Sequence, residues 1–271
     1  MLIRVGFSAD PDDAFMFWGL ASGTVDSRGY DFEPVIEDIQ TLNELALEGR
    51  LEVTAMSAAT YPLVHDRYVL LPHGASIGSG YGPVVVARES LTLDELRASE
   101  IVVPGELTTA FLVLKLALGD DGFAYRVLPF DEIIPEVAHG RARAGLLIHE
   151  GQLTYRDAGL EKCLDLGEWW LLETGLPLPL GVNTVRRDIG EQAVREVSAI
   201  LAESIDAALE HRDEALDYAL GFGRGMDAER GDQFIGMYVN DLTRDYGDEG
   251  RLAIRELYAR ADVAVDVQFV E

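Results

Sequence analysis

The sequence predicts an α/β protein built from two similar lobes, with a cleft between the lobes and a helical C-terminal region. Short apolar strands alternate with amphipathic helices through the first two thirds of the chain, and this alternation is typical of α/β proteins. The first third of the chain also recurs weakly in the middle. From Glu191 onward, apolar residues fall at three- and four-residue spacing, which predicts helices only.

The predicted strands are short apolar runs that are bounded by turn residues. They cover Leu2–Phe7, Leu51–Met56, Tyr68–Leu71, Pro83–Arg88, Glu100–Val103, Ala124–Leu128, Ala144–Ile148 and Leu180–Val185. The segment around Cys163 is also interpreted as a strand. Predicted helices cover Asp12–Ala21, Tyr61–His65, Glu191–His211, Asp213–Phe222, Asp227–Val239 and Glu249–Ala261.

The internal repeat pairs residues 4–21 with 102–117, and residues 46–57 with 137–149. In each copy of the second pair, a helix closed by glycine leads into a strand that ends in a polar residue. Those polar residues are Ser57 and His149, and two facing lobes would bring both to the cleft, where small molecules usually bind. We predict a discontinuous lobe 1 of residues 1–88 and 186–271, and a lobe 2 of residues 89–185. Generic βα patterning is the alternative explanation of the repeat.

Composition excludes several classes of function. The chain has 271 residues, with 48 acidic and 22 basic side chains, and its formal charge is −26. This charge argues against binding to nucleic acid or to an anionic membrane, because neither polyanion would be neutralised. The longest apolar runs fall well short of the ~20 residues of a membrane span, and the amino terminus shows no secretory signal. We therefore expect a cytoplasmic protein; its oligomeric state cannot be predicted.

A metal site is not expected from the histidine and cysteine pattern. Cys163 is the only cysteine, which excludes an internal disulfide and favours a small buried apolar role. The histidines other than His149 fall in separate predicted elements without metal-ligand spacing. The glycine-rich segment at residues 78–82 leads into a strand rather than a helix, and this context does not fit a nucleotide-binding loop.

Two loops and one strand end are candidate ligand contacts. Asp10 to Asp13 have the composition of a helix start, with an Asp N-cap and Pro at the first helical position. Helix capping explains most of this segment, and Asp12 or Asp13 is a candidate to accept a hydrogen bond from a substrate hydroxyl. Thr108 and Thr109 combine hydroxyl groups with the free N–H groups that open a helix, which suits a carboxylate, and ordinary capping is the alternative. His149 could transfer a proton near neutral pH, or it could be a structural residue.

An ordered set of segments resembles the 1,4-dihydroxy-6-naphthoate synthases of the futalosine route to menaquinone. The resemblance extends over nearly the whole chain. The matching segments are Phe7–Ser8 with Pro11–Phe15, Glu37–Asn43, Ser57, Thr108–Ala110, Ile148–Glu150 and Glu173–Gly181. The resemblance implies a type 2 periplasmic-binding-protein-like fold, which agrees with the two lobes.

The resemblance also implies a carbon–carbon lyase that converts cyclic dehypoxanthine futalosine to 1,4-dihydroxy-6-naphthoate without a metal or organic cofactor. His149 matches the catalytic base of this family. Ser57, Thr108 and Thr109 match residues that line the substrate site and are expected to bind a small-molecule carboxylate, and Asn43 and Asp13 match other pocket positions.

The chain departs from this family at the rim of the same site. Family members often have Asn, Thr and His where this chain has Asp12, Ala14 and Leu107, and these changes affect substrate positioning more than the reaction. Two alternative functions stay open: a solute-binding module for a small carboxylate, and a chorismate dehydratase of the same pathway.

Overall fold

The computed structural model describes residues 1–119, 122–222 and 227–271. These residues form two β-sheets, each covered by helices. The sheet that contains the amino terminus defines lobe 1, and the other sheet defines lobe 2. The predicted fold class, two α/β lobes with a helical C-terminal region, is confirmed.

The six-stranded sheet of lobe 1 has the order β2-β1-β3-β11-β4, and β5 pairs with β11 outside this path. Its strands are β1 (Leu2–Ser8), β2 (Asp31–Glu37), β3 (Val53–Ser57), β4 (Tyr68–Leu70), β5 (Ser76–Gly78) and β11 (Leu178–Arg186). β1 is parallel to β2 and β3, whereas β11 is antiparallel to β3.

The five-stranded sheet of lobe 2 has the order β10-β6-β9-β7-β8. Its strands are β6 (Val84–Ala87), β7 (Ile101–Val103), β8 (Tyr125–Val127), β9 (Ala144–Leu147) and β10 (Glu161–Asp165). β7 is parallel to β8 and β9, whereas β6 is antiparallel to β9. The two sheets therefore share one arrangement, with three parallel strands followed by an antiparallel one.

Helices cover both sheets and complete the C-terminal region. They are α1 (Pro11–Ala21), α2 (Ile39–Glu48), α3 (Leu93–Arg97), α4 (Thr109–Leu118), α5 (Phe130–Ala138), α6 (Gly151–Thr154), α7 (Leu166–Thr174), α8 (Glu191–Glu210), α9 (Arg212–Leu220), α10 (Ala228–Tyr238), α11 (Asp241–Arg244) and α12 (Gly247–Arg260). The segment predicted as a helix at Tyr61–His65 is a short 3-10 helix over Tyr61–Leu63.

The internal repeat predicted from the sequence corresponds to equivalent elements of the two sheets. β1 and α1 correspond to β7 and α4, while α2 and β3 correspond to α5 and β9. Gly49 and Gly140 follow α2 and α5, and both have a left-handed backbone, with φ of 69° and 72°. Glycine adopts this conformation without steric cost, which explains its place after both helices.

The predicted lobe boundaries need a correction at both crossings. β6, which was assigned to lobe 1, pairs with β9 and β10 in the lobe 2 sheet. β11, which was assigned to lobe 2, pairs with β3, β4 and β5 in the lobe 1 sheet. The apolar composition of a strand shows that it is buried, but it does not show which sheet supplies its hydrogen bonds. The chain crosses between the lobes in the glycine-rich segment before β6, and again between α7 and β11.

Strands β2 and β5 were not predicted. β2 lies at the edge of the lobe 1 sheet, and most of its residues are exposed or half-buried. It contains Pro34, which a sheet edge tolerates because no hydrogen-bond donor is needed there. β5 has only three residues, too few for a recognisable alternation.

Helix α1 packs closely on α8 through Gly19. A Cβ atom at Gly19 would lie 2.7 Å from the Cα atom of Ser204. The Ser204 hydroxyl donates to the carbonyl of Met16 at 2.9 Å and accepts from the N–H of Leu20 at 3.2 Å. This contact anchors α1, and with it the loop before α1, to the core of lobe 1.

We expect Gly19→Ala to destabilise the protein by about 1–3 kcal/mol, because the added methyl group would meet backbone atoms that cannot move independently. Gly236→Ala is the matched control: Gly236 lies within α10, is exposed and has open space around it. Replacing a helical glycine there should stabilise by about 0.5–1 kcal/mol. Urea unfolding of both variants measures the effects, and equal effects would contradict the close packing.

Candidate active site

A cavity of about 630 Å³ lies between the two lobes. Lobe 1 contributes Ser8, Asp13 and Ser57 to its lining, and lobe 2 contributes Thr108 and His149, among others. Because both lobes contribute polar side chains to this lining, a small molecule in the cavity would contact both lobes.

His149 follows β9 and turns its imidazole towards this cavity. Its backbone has φ of 52°, a left-handed conformation that is uncommon for residues other than glycine and that often occurs at functional sites. The ring contacts Phe130 edge to face, with the centroids 4.9 Å apart, and its side chain is 13% exposed. The imidazole is therefore fixed in orientation but still accessible from the cavity.

Asp10 holds His149 from the opposite lobe. The Nδ1 atom of His149 lies 2.5 Å from Oδ2 of Asp10, and Oδ1 of Asp10 accepts a hydrogen bond from the N–H of Asp13 at the start of α1. Asp10 is thus both the N-cap of α1 and the partner of the imidazole. The arrangement leaves Nε2 as the free ring nitrogen, since the Nδ1 proton is directed at the carboxylate.

The pKa values of this pair reflect its charges. Burial alone would raise the pKa of Asp10, but the imidazolium charge and hydrogen bond of His149 lower this pKa to about 2. Burial alone would lower the pKa of His149, but Asp10 outweighs this effect, and Glu150 and Asp13 add to it, so the pKa is raised. Asp10 therefore stays ionised at neutral pH, and His149 binds protons more strongly than a free imidazole.

Asp13 and Asp12 lie beside this pair in the first turn of α1. Oδ2 of Asp13 accepts from both the N–H and the hydroxyl of Ser8, each at 2.8 Å. Burial and the charge of Asp10 nevertheless raise the pKa of Asp13 to about 7. Oδ2 of Asp12 accepts from the hydroxyl of Ser76 at 3.0 Å.

Ser57 lies at the end of β3 and is supported by Asn43. The Asn43 amide donates to Oγ of Ser57 at 3.0 Å, and its carbonyl accepts from the N–H of Ser57 at 2.8 Å. Ser57 lines the cavity, whereas Asn43 is fully buried behind it. Because Oγ of Ser57 accepts from Asn43, its proton can be donated to a ligand.

Thr108 and Thr109 begin α4, as the sequence predicts, and both line the cavity. Oγ1 of Thr108 caps the helix by accepting from the N–H of Phe111 at 3.2 Å. Oγ1 of Thr109 donates to the carbonyl of Leu180 at 2.7 Å and accepts from the N–H of Ala59 at 3.1 Å. Both hydroxyls thus have structural partners, and the first N–H groups of α4 are the donors that suit an anion.

A further hydrogen bond joins the lobes across the cavity. The Tyr238 hydroxyl, on α10, donates to Oε1 of Gln152 on α6 at 2.6 Å. Both residues line the cavity. Together with the Asp10–His149 contact, this bond connects the two walls of the site.

The N-cap and first turn of α1 also contain the one group in the described ranges that could hold a metal ion. Asp10, Asp12 and Asp13 can each place a carboxylate oxygen within 4.8 Å of the other two. Both oxygens of Asp10 already accept from His149 and Asp13. Histidine and cysteine spacing does not bear on a cluster of carboxylates, so the absence of a metal stays a prediction.

The structure brings together Ser57, Asp13, Thr108, Thr109 and His149 around one cavity, with Asn43 directly behind it. Sequence reasoning missed the role of Asp10 as the partner of His149, because its capping role explained it fully. It also missed Gln152 and Tyr238, which carry no local signal. The cluster of three aspartates in four residues was visible, but helix capping was sufficient to explain it.

Comparisons with known proteins identify the family of the chain. A sequence profile described as menaquinone biosynthesis matches residues 3–262. The chain belongs to this menaquinone biosynthesis family. Within known proteins, the chain is 44% identical over 260 residues to a protein of Thermus thermophilus named 1,4-dihydroxy-6-naphtoate synthase, covering 96% of this chain and 94% of the relative.

Solved structures show the same fold. An Archaeoglobus fulgidus protein is similar with a TM-score of 0.92 and 47% identity, covering 96% of this chain and 97% of that chain. A Candida albicans protein described as having the generic periplasmic binding protein fold is similar with a TM-score of 0.72 and 13% identity, covering 98% and 92%. The chain thus has the generic periplasmic binding protein fold. In the part of the chain that the structure describes, no helix has the length and apolar character required to cross a membrane.

Proposed function

We propose that the protein is a 1,4-dihydroxy-6-naphthoate synthase, a carbon–carbon lyase that acts on cyclic dehypoxanthine futalosine in menaquinone biosynthesis. The observation that carries the proposal is the imidazole of His149, which is fixed by Asp10 at the wall of an interlobe cavity, in a chain that belongs to the menaquinone biosynthesis family. The name of the 44% identical relative favours this function over a chorismate dehydratase or a solute-binding module.

His149 serves as the general base. Asp10 accepts from Nδ1, so Nε2 faces the cavity as the basic nitrogen, and the carboxylate stabilises the imidazolium that forms when a proton is taken from the substrate. A positioned base of this kind typically contributes ~10²- to 10⁴-fold to the rate. Holding the substrate between two lobes supplies orientation and limits access of water.

The carboxylate of the substrate binds between Ser57 and the start of α4. The Ser57 hydroxyl and the first N–H groups of α4, at Thr109 and Ala110, come from opposite lobes and line the same cavity. An anion at the N-terminus of a helix is stabilised by these N–H groups and by the helix dipole. Asn43 acts as a positioning residue for Ser57, and Asp13 accepts a hydrogen bond from a polar group of the substrate. The cytoplasmic location stays a prediction from the sequence.

Incubation of the purified protein with the cyclic substrate tests the function directly. We expect release of the naphthoate chromophore, followed by absorbance and by mass spectrometry. Chorismate, incubated in parallel, should remain unchanged. Consumption of chorismate in place of the cyclic substrate would replace the proposed function with the dehydratase, and binding without conversion would replace it with the solute-binding module.

Ser57→Ala should raise KM by about tenfold or more with a smaller change in kcat, because a hydrogen bond to a charged group contributes about 1.5–3 kcal/mol. Steady-state kinetics measure the change. Ser99→Ala is the control, since Ser99 is half-buried on lobe 2, does not line the cavity and donates to the carbonyl of Glu95. Unchanged KM for Ser57→Ala would remove Ser57 from the carboxylate site.

A further inference from the structure

Three carboxylates and one imidazole share one wall of the cavity. Asp10, Asp12 and Asp13 are all buried, with at most 6% exposure. The cluster contains one ion pair formed by described residues, and this pair joins Asp10 to His149. Full ionisation would leave two uncompensated negative charges in a buried site, and neighbouring carboxylates avoid this by retaining a proton.

The hydrogen bonds of the three carboxylates show which of them is suited to keep that proton. Asp10 faces the imidazolium, and Asp13 accepts two hydrogen bonds from Ser8 on one oxygen; both contacts favour a charged carboxylate. Asp12 accepts from Ser76, and its buried Oδ1 atom accepts no hydrogen bond from a donor group of the described residues. The side chain of Asp12 also lies in hydrogen-bonding contact with that of Asp10, and two carboxyl groups can make such a contact only when one of them holds a proton. An unpartnered buried oxygen is costly on a carboxylate and far less so on a neutral acid.

The groups around Asp12 on every side agree with a neutral carboxyl. Burial, followed by the charges of Asp10 and Asp13, raises the pKa of Asp12 well above its usual range, and the Ser76 hydroxyl opposes this only in part. From α10, Tyr238 faces the same wall, and its own pKa is also raised well above the usual value, chiefly by burial and in part by Asp12. From lobe 2, His149 binds Asp10 and leaves Asp12 without an ion pair.

We propose that Asp12 remains a neutral carboxylic acid in the folded enzyme and donates a hydrogen bond to the substrate oxygen that gains negative charge when His149 removes a proton. The proposal rests on the lyase function given above. A preorganised donor at such an oxygen stabilises the transition state more than the ground state. A neutral Asp12 also reduces the negative charge that a carboxylate substrate meets in the cavity. His149 and Asp12 then form a base and an acid: Asp12 keeps its proton, and His149 acts as the base in the fraction of molecules whose Nε2 is unprotonated.

Unfolding by urea at a series of pH values tests the protonation of Asp12 without any substrate. In the unfolded chain Asp12 ionises in the ordinary range, near pH 4 (about 3.9), while in the folded protein it stays protonated to higher pH. The free energy of unfolding of the wild type should therefore fall, relative to that of Asp12→Asn, as the pH rises from the pKa of Asp12 in the unfolded chain to its pKa in the folded protein. Over this range the difference between their unfolding midpoints should grow. Asp188→Asn is the control for loss of an exposed carboxylate, since this side chain is 70% exposed and pairs with Arg186.

If the difference in unfolding midpoint between wild type and Asp12→Asn does not change from about pH 4 to about pH 9, the proposal is overturned. Asp13→Asn, measured in the same way, decides between the two neighbours. A larger pH dependence for Asp13→Asn than for Asp12→Asn would assign the retained proton to Asp13 and would also overturn the proposal.

Kinetics test the donor role. Asn keeps a neutral donor at every pH, so the ratio of wild-type to Asp12→Asn kcat/KM should fall by about tenfold per pH unit once Asp12 ionises. Asp12→Leu, which has no donor, should lose ~10²- to 10³-fold in kcat at every pH where Asp12 of the wild type is protonated, while its Kd for the naphthoate product changes little. A constant ratio, or an active Asp12→Leu enzyme, would overturn the donor role. If wild type does not turn over the cyclic substrate, the proposed function and the donor role fail together, and the unfolding series still decides the protonation.

Discussion

His149→Asn is expected to lower kcat by ~10²- to 10⁴-fold while the naphthoate product still binds with a Kd near that of wild type. Asn places its amide N–H where Nδ1 of the imidazole lies, so the buried carboxylate of Asp10 keeps a donor. Asn also tolerates the left-handed backbone at this position, with its φ of 52°, better than most residues do. The substitution therefore removes Nε2 with little change to the fold, and single-turnover kinetics measure the loss of the base.

His139→Asn is the matched control for this substitution. His139 follows α5 in the same lobe, is exposed, and its Nδ1 atom contacts the carbonyl of Pro135 at 2.7 Å. It is not among the residues that line the cavity, so the kcat and KM of His139→Asn should equal those of wild type. A His149→Asn enzyme with kcat within about threefold of wild type would show that the proton is removed by another group.

Local patterns in the sequence were sufficient to predict the parts of the fold that depend on neighbours in the chain. The apolar run Ala144–Ile148 predicts β9 because a buried strand needs apolar side chains on both faces. The Asp10–Pro11 start of α1 and the glycines after α2 and α5 follow from the capping needs of single helices. The repeat then indicated two lobes, and it placed Ser57 and His149 at the cavity.

Contacts between distant segments could not be predicted in the same way. The pairing of β6 with β9 and of β11 with β3 depends on which strand edges are free after folding, and their sequences do not encode this choice. The Asp10–His149 contact joins two loops of different lobes. Asp10 has a complete local explanation as a helix cap, so nothing in its own neighbourhood indicated that its second oxygen would meet an imidazole.

Asp10→Asn is the second substitution with a large expected effect, and it separates the two roles of Asp10. Asn is as good an N-cap as Asp, so α1 and the stability of the fold should be retained. The negative charge that stabilises the imidazolium is lost, and we expect kcat to fall by about 10²-fold, at the lower end of what a general base contributes. Asp38→Asn is the matched control, because Asp38 caps α2 through the N–H groups of Gln40 and Thr41 and does not line the cavity.

The direction in which the pH profile of kcat shifts tests whether Asp10 acts through the pKa of His149. His149 acts as a base only when it is unprotonated, so wild-type kcat should rise as the pH increases through the raised pKa of His149. Asp10 is the largest influence that raises this pKa, and burial alone would lower it. In Asp10→Asn the acidic limb of the profile should therefore move to lower pH while the plateau falls. If Asp10 only caps α1, the acidic limb of the kcat profile should not move, and the plateau should change no more than it does in Asp38→Asn. That result would show that Asp10 does not orient His149 for catalysis.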